Sequence, residues 1–156
     1  MAAYARFLAM IATSMLCMYL LTYANVWTID HATVSESRIY MVLYMGAVMA
    51  VVMLGFMWGM YPGRGRYAIL AGAALLFATG LWLMRSQATV GDVSWMRAMI
   101  PHHSIAILTS ERAGIEDPRV RALADEIIEA QRREIAEMQA LIADLTAAAA
   151  AGRRAP

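Results

Sequence analysis

The sequence predicts an all-α membrane protein, with three transmembrane helices followed by an extracytoplasmic helical hairpin. Three observations carry this reading. The chain has 156 residues, of which 61% are hydrophobic and 16% charged, a balance too apolar for a soluble domain of this size. Its charges are segregated, with five Arg and two acidic residues in 1–86 but eight Arg and ten acidic residues in 87–156. Three apolar runs without a single charge, residues 7–27, 39–61 and 67–84, all fall in the first part.

Each run is close to the roughly 20 residues that span about 30 Å of hydrocarbon. Lipid offers no partner to a backbone amide, so such runs are helices and not strands. In the third, Ala74 and Ala78 are expected to let a neighbouring helix approach closely. Arg6, Arg64 and Arg66 flank the cytoplasmic side, while the first connection carries Asp30, Glu36 and only Arg38. The expected orientation therefore puts the N-terminus in the cytoplasm and everything after Met84 outside, with Arg85 running against the rule. Tyr23, Trp27, Tyr40 and Trp82 are assigned to the outer interface, and Tyr4, Trp58, Tyr61 and Tyr67 to the inner one. The expected location is the bacterial cytoplasmic membrane, with the lipid bilayer as first partner. Cys17 sits inside an apolar run as a small buried side chain, and the first run is read as retained. The net charge of +1 and the lack of a basic run interleaved with aromatics exclude nucleic-acid binding.

A polar linker, 86–91, leads into a helix over 92–113 that Gly114 is expected to stop. Asp117–Pro118 opens a second helix, expected to run to about Ala147 with Val120, Ala124, Ile127, Met138, Leu141 and Leu145 on its apolar face. The domain division is thus 1–86 for the membrane part, 87–147 for the hairpin and 148–156 for a flexible tail. Two helices alone cannot enclose a core. A homo-oligomer that turns two hairpins into a four-helix bundle would complete it, as would packing against the outer ends of the membrane helices.

The chemistry concentrates in the segment from Trp95 to His103. Met96, Met99 and His103 fall at i, i+3 and i+7, so two thioethers and an imidazole share one helix face, with His102 about 100° away. Soft thioether plus imidazole is a donor mixture that favours Cu(I). Pro101 removes a backbone donor, and the helix is expected to kink or restart there. The plainer account is a proline-containing helix with core Met and exposed His. On the second helix Gln131, Glu134 and Met138 also fall at i, i+3 and i+7 on the inner face. A core-facing Glu is costly unless paired or metal-bound. Glu134 would bind metal or orient an imidazole, with Gln131 as a supporting hydrogen bond, or else pair with Arg97 or Arg112, or face solvent. In the membrane, Met41, Met45, Met49, Met53 and Met57 repeat every fourth residue, with Met60 beyond. Packing by a flexible apolar side chain is the simpler account of this stripe, and a relay for Cu(I), with His31 at its outer mouth, is the alternative.

Met99-Ile100-Pro101-His102-His103, then Ala106-Ile107, Asp117-Pro118 and the spaced Ile128, Gln131, Glu134, Ile135 and Met138, resemble the DUF305 family over about residues 92–142. Residues 19–61, with Tyr23, Asp30-His31, Ser35-Glu36 and the Met-rich second helix, resemble its membrane-anchored members. The resemblance implies a ferritin-like, copper-binding domain outside the cytoplasm, without established enzymatic activity. It implies Met99, His102, His103 and Met138 as ligands, and Gln131 and Glu134 as the polar signature. Ala98 and Thr109 stand where the family often has Met, which removes two soft donors that Met96 would replace from the preceding turn.

The expected function is a membrane-anchored copper-binding protein that sequesters Cu(I) or hands it to a copper-handling partner protein. The competing classes are a metal-dependent oxidoreductase using Glu134, and a non-metal assembly module.

Overall fold

The computed structural model describes residues 2–152 and contains, among these, five α-helices, two 3-10 turns and no strand. The fold is all-α, as the sequence predicts. The chain divides into two compact units. The first contains residues up to Thr22 together with Glu36–Val90, and the second contains Tyr23–Ser35 together with the chain from Gly91 onward.

The first unit holds α1 (Ala2–Leu21), α2 (Glu36–Phe56) and α3 (Gly65–Ser86), each long and apolar enough to cross a membrane. α1 stops six residues before Trp27, the end expected from the apolar run. The reason is polar: Thr22 turns its hydroxyl onto the Tyr19 carbonyl at 2.6 Å. The buried Arg38 guanidinium then donates to the carbonyl and hydroxyl oxygens of Thr22 at 2.7 and 2.8 Å, so a carbonyl at the helix end finds its partner outside the helix. α2 likewise ends at Phe56, five residues short of Tyr61. The amide of Met57 closes the last four-residue bond onto Met53, and that of Met60 closes a tighter three-residue bond onto Met57.

The three helices pack around Phe7, Ile11, Ala47, Ala50, Leu54, Tyr61 and Ala73. The close approach of α2 and α3 falls at Gly80, where a Cβ would stand 3.2 Å from the Tyr44 amide nitrogen and 3.3 Å from the Tyr40 carbonyl oxygen. Gly46 similarly makes room for the Met15 side chain. This corrects the small-residue pair assigned from sequence: Ala74 and Ala78 are exposed, while Ala73 and Gly80, seven apart and one face round, are buried. At one end Tyr61 packs against Tyr4 and Phe7 with ring centroids 5.4 and 5.2 Å apart. Beside them the Arg66 guanidinium lies 4.3 Å above Trp58. α3 is capped by Gln87, a non-glycine residue with φ 51°. Its side-chain amide donates to the Met84 carbonyl at 2.6 Å and accepts from the Ser37 hydroxyl at 3.0 Å, which holds that conformation.

The second unit holds the hairpin of α4 (Asp92–Arg112) and α5 (Pro118–Gly152). Asp117 opens α5 by accepting the Arg119 amide at 2.8 Å, and Pro118 fits the first helical position because its missing donor would have no partner there. Arg119 also holds the Asp117 carboxyl below the usual carboxylate range. α5 continues past Ala147 to Gly152 because its Ala-rich end has high helix propensity. Residues 153–156 of the expected tail lie outside the described residues.

The face of α5 differs from the expected one. Ala124, Ile128, Ile135 and Met138 are buried, with Gln131 and Ile142 half-buried, whereas Val120, Ile127, Leu141 and Leu145 are exposed. The apolar pattern of α5 is broader than one stripe, and a single partner helix covers only the part centred on Ile128 and Ile135. Trp27, expected as an interfacial anchor, instead packs against the hairpin core of Met96, Ile100, Ile107, Ile128, Ile135 and Met138. The segment Tyr23–Ser35 therefore supplies a third layer to the hairpin that the sequence had assigned to a membrane helix and its connection.

Candidate metal centre

α4 runs unbroken from Asp92 to Arg112 with Pro101 inside it, so the expected restart does not occur. Proline at 101 leaves the carbonyl of Arg97, four residues back, without its helical donor. The Thr33 hydroxyl fills that role, donating to the Arg97 carbonyl at 2.5 Å. Seven residues further along α4, Ser104 is fully buried, and its Oγ accepts the Trp27 amide at 2.7 Å. The same Oγ lies 2.9 Å from His31 Nδ1. A serine hydroxyl that already accepts from Trp27 keeps one proton and one lone pair, so it can pair with either tautomer of His31. Segment 23–35 is thus a strap, bonded to α4 on either side of the stretch that carries Met99, His102 and His103.

From α5, Glu134 approaches the same stretch. Its Oε2 lies 3.2 Å from His103 Nδ1 and accepts from the Gln131 side-chain amide at 3.3 Å. The His103 side chain is 17% exposed and Glu134 44%. Burial lowers the His103 pKa more than the neighbouring Glu134 raises it, and His102 lowers it further. Burial thus favours the neutral form of the His103 ring beside Glu134. The angle at Nδ1 takes the approach out of hydrogen-bonding geometry, so this buried nitrogen has no hydrogen-bond partner.

The thioethers expected at the site lie in the adjoining core. Met96 and Met138 are 4% and 7% exposed in one cluster, and Met99 packs against it. The antiparallel register that sets His103 beside Glu134 puts Met99, one turn earlier, level with Met138, one turn later. His102 is exposed, its ring centroid 6.1 Å from that of His103. Glu134 has Gln131 and His103 as its partners, rather than the Arg97 or Arg112 considered from sequence. Among the described residues no three His, Cys, Asp or Glu side chains form a metal-holding group. A metal held by the hairpin would need thioether donors in addition to His103 and Glu134.

In the first unit Met49, Met53 and Met57 pack against the helix core, Met41 is half-buried and Met45 is exposed. His31 belongs to the strap and is engaged by Ser104. Sequence reasoning missed Thr33, Ser104 and Trp27. The presence of Pro101 signals that the Arg97 carbonyl needs a donor, but nothing local identifies Thr33, 64 residues away, as that donor.

The fold and site define a class: an all-helical chain with three helices able to cross a membrane and a helical hairpin bearing a His-His motif. Residues 83–153 match the family described as a domain of unknown function, DUF305. An uncharacterized protein of Acanthamoeba polyphaga mimivirus is 31% identical over 139 residues, covering 86% of this chain and 90% of that protein. Residues 83–153 of the chain belong to the DUF305 family. No solved structure matches it.

Proposed function

We propose that this protein is a membrane-anchored, ferritin-like copper-binding protein that holds Cu(I) outside the cytoplasm, for sequestration or for transfer to a copper-handling partner. The observation that carries the reading is the buried His103 Nδ1, left without a hydrogen bond 3.2 Å from Glu134 Oε2. An unpaired nitrogen is costly to bury in an apolar setting. Bonds of about 2.0–2.2 Å, as zinc makes to nitrogen and oxygen donors arranged tetrahedrally, would put the two donor atoms about 3.3–3.6 Å apart, close to the separation here. Burial also favours the neutral ring, the form that ligates.

His103 and Glu134 would hold the ion together with Met99 or Met138, whose thioethers favour Cu(I) over harder ions. Met96 and His102 remain part of the proposed donor set, and Gln131 would orient Glu134 through its hydrogen bond. The bound ion supplies no reaction in this reading. The protein's part is to shield the ion and to fix its donors.

The proposed orientation has a cytoplasmic N-terminus and an extracytoplasmic hairpin in a bacterial inner membrane, on the Arg distribution. A homo-oligomer completes the hairpin bundle, on the exposed flank of Leu123, Ile127, Leu141 and Leu145 along α5.

The test is Cu(I) affinity of the full chain in detergent, with His103→Ala and His102→Ala/His103→Ala variants beside wild type. His103→Ala is expected to weaken binding by roughly tenfold or more. Affinity unchanged in the double variant would refute the site.

A further inference from the structure

A second group of soft donors lies in the first unit, away from His103 and Glu134. The 3-10 turn Trp58–Met60 begins directly after Met57, and the Met60 amide bonds to the Met57 carbonyl at 2.9 Å. In such a turn side chains three apart eclipse one another, so the thioethers of Met57 and Met60 share a face. Met10, from the middle of α1, lines the same cavity of about 190 Å³, together with Ala3, Arg6, Phe7 and Tyr61. Phe7 and Tyr61 are buried and meet edge to face with centroids 5.2 Å apart, so the aromatic wall is rigid. Met60 is 64% exposed, so filling the helix core does not explain it.

We infer that Met10, Met57 and Met60 form a thioether site for a soft monovalent cation, Cu(I) or Ag(I), in the membrane unit. Among the described residues the lining contains no carboxylate, imidazole or thiol. Three neutral sulfur donors suit a soft ion and give a hard one almost nothing. Arg6, the only charged lining residue among those described, repels a divalent ion more than a monovalent one. This site uses different residues from the hairpin proposal and does not require it.

The experiment titrates the full chain in detergent micelles with Ag(I), a redox-inert probe for a Cu(I) site, and counts ions bound per chain. Met10→Leu/Met57→Leu/Met60→Leu is expected to bind one ion fewer than wild type, at unchanged helix content. Wild-type stoichiometry in the triple variant overturns the site. Met60→Leu changes an exposed side chain and leaves the fold out of question. It is expected to weaken this ion by roughly tenfold, and unchanged affinity there also overturns the inference. His102→Ala/His103→Ala should leave the membrane-unit ion in place. If that variant binds as wild type while the triple variant loses an ion, the hairpin reading fails and this one stands.

Discussion

Ser104→Ala tests how the strap is held. Ser104 is fully buried, and the substitution removes one oxygen while leaving the helical backbone of α4 intact. That oxygen accepts the Trp27 amide at 2.7 Å and meets His31 Nδ1 at 2.9 Å, so two partners lose their bond together. Leaving a buried polar group unsatisfied costs about 1–3 kcal/mol, and the partial burial of these two puts each near the lower end. The expected loss is about 2–3 kcal/mol of strap docking. At about 1.4 kcal/mol per factor of ten, strap opening should become about 30- to 150-fold more frequent. Amide hydrogen exchange reads this directly, because protection in 23–35 tracks the local opening equilibrium. Protection should fall there by that factor while α2 and α3 keep theirs. Protection of 23–35 within about threefold of wild type would refute the claim that Ser104 anchors the strap.

Four further outcomes follow from the same geometry. Thr33→Val should cost about 0.5–1.5 kcal/mol in wild type but little in a Pro101→Ala background, where the restored backbone amide at that position can bond to the Arg97 carbonyl; equal costs in both, in a double-mutant cycle, would separate Thr33 from the proline gap. The His31 pKa is lowered by burial, against an opposing pull from Asp30, with Arg132 lining the same cavity. The unfolded strap therefore binds a proton more readily than the docked one, so the stability that neutral His31 contributes to docking is fully present above the ordinary value of 6.5 and declines as pH falls below it. Exchange in 23–35, corrected for intrinsic rates, should accelerate on acidification, and His31→Gln should flatten that response. Gly80→Leu should destabilise the first unit by about 1–3 kcal/mol in a thermal melt in detergent, because its Cβ would already press on the Tyr40 and Tyr44 backbone. Ala78→Leu, at an exposed position, should leave the melt unchanged.

Much of this protein is legible along the chain, because the deciding signals are local. Apolar run length and lack of charge predict three helices able to cross a membrane. Asp117–Pro118 marks the start of α5, since a side-chain acceptor followed by a residue without a donor is what a helix N-terminus accommodates. Spacing alone places Met99 beside His103 and Glu134 beside Met138, each one helical turn apart. It also sets His103, and not His102, on the face of Met96 and Met99, but it does not tell whether that face is the covered one.

The rest depended on contacts between residues far apart in sequence. His103 meets Glu134 and His102 stays exposed because α4 and α5 pack in one particular rotation and register. The same rotation buries Ile128 and Ile135 and leaves Ile127 and Leu141 outside. α1 ends at Leu21 and not at Trp27 because Arg38, 16 residues beyond Thr22, takes up its carbonyl. Pro101 remains helical because Thr33 supplies a donor that the helix itself lacks. Periodicity reports which side chains share a face; only packing decides which face is covered, and which distant group satisfies a backbone oxygen that the helix leaves free.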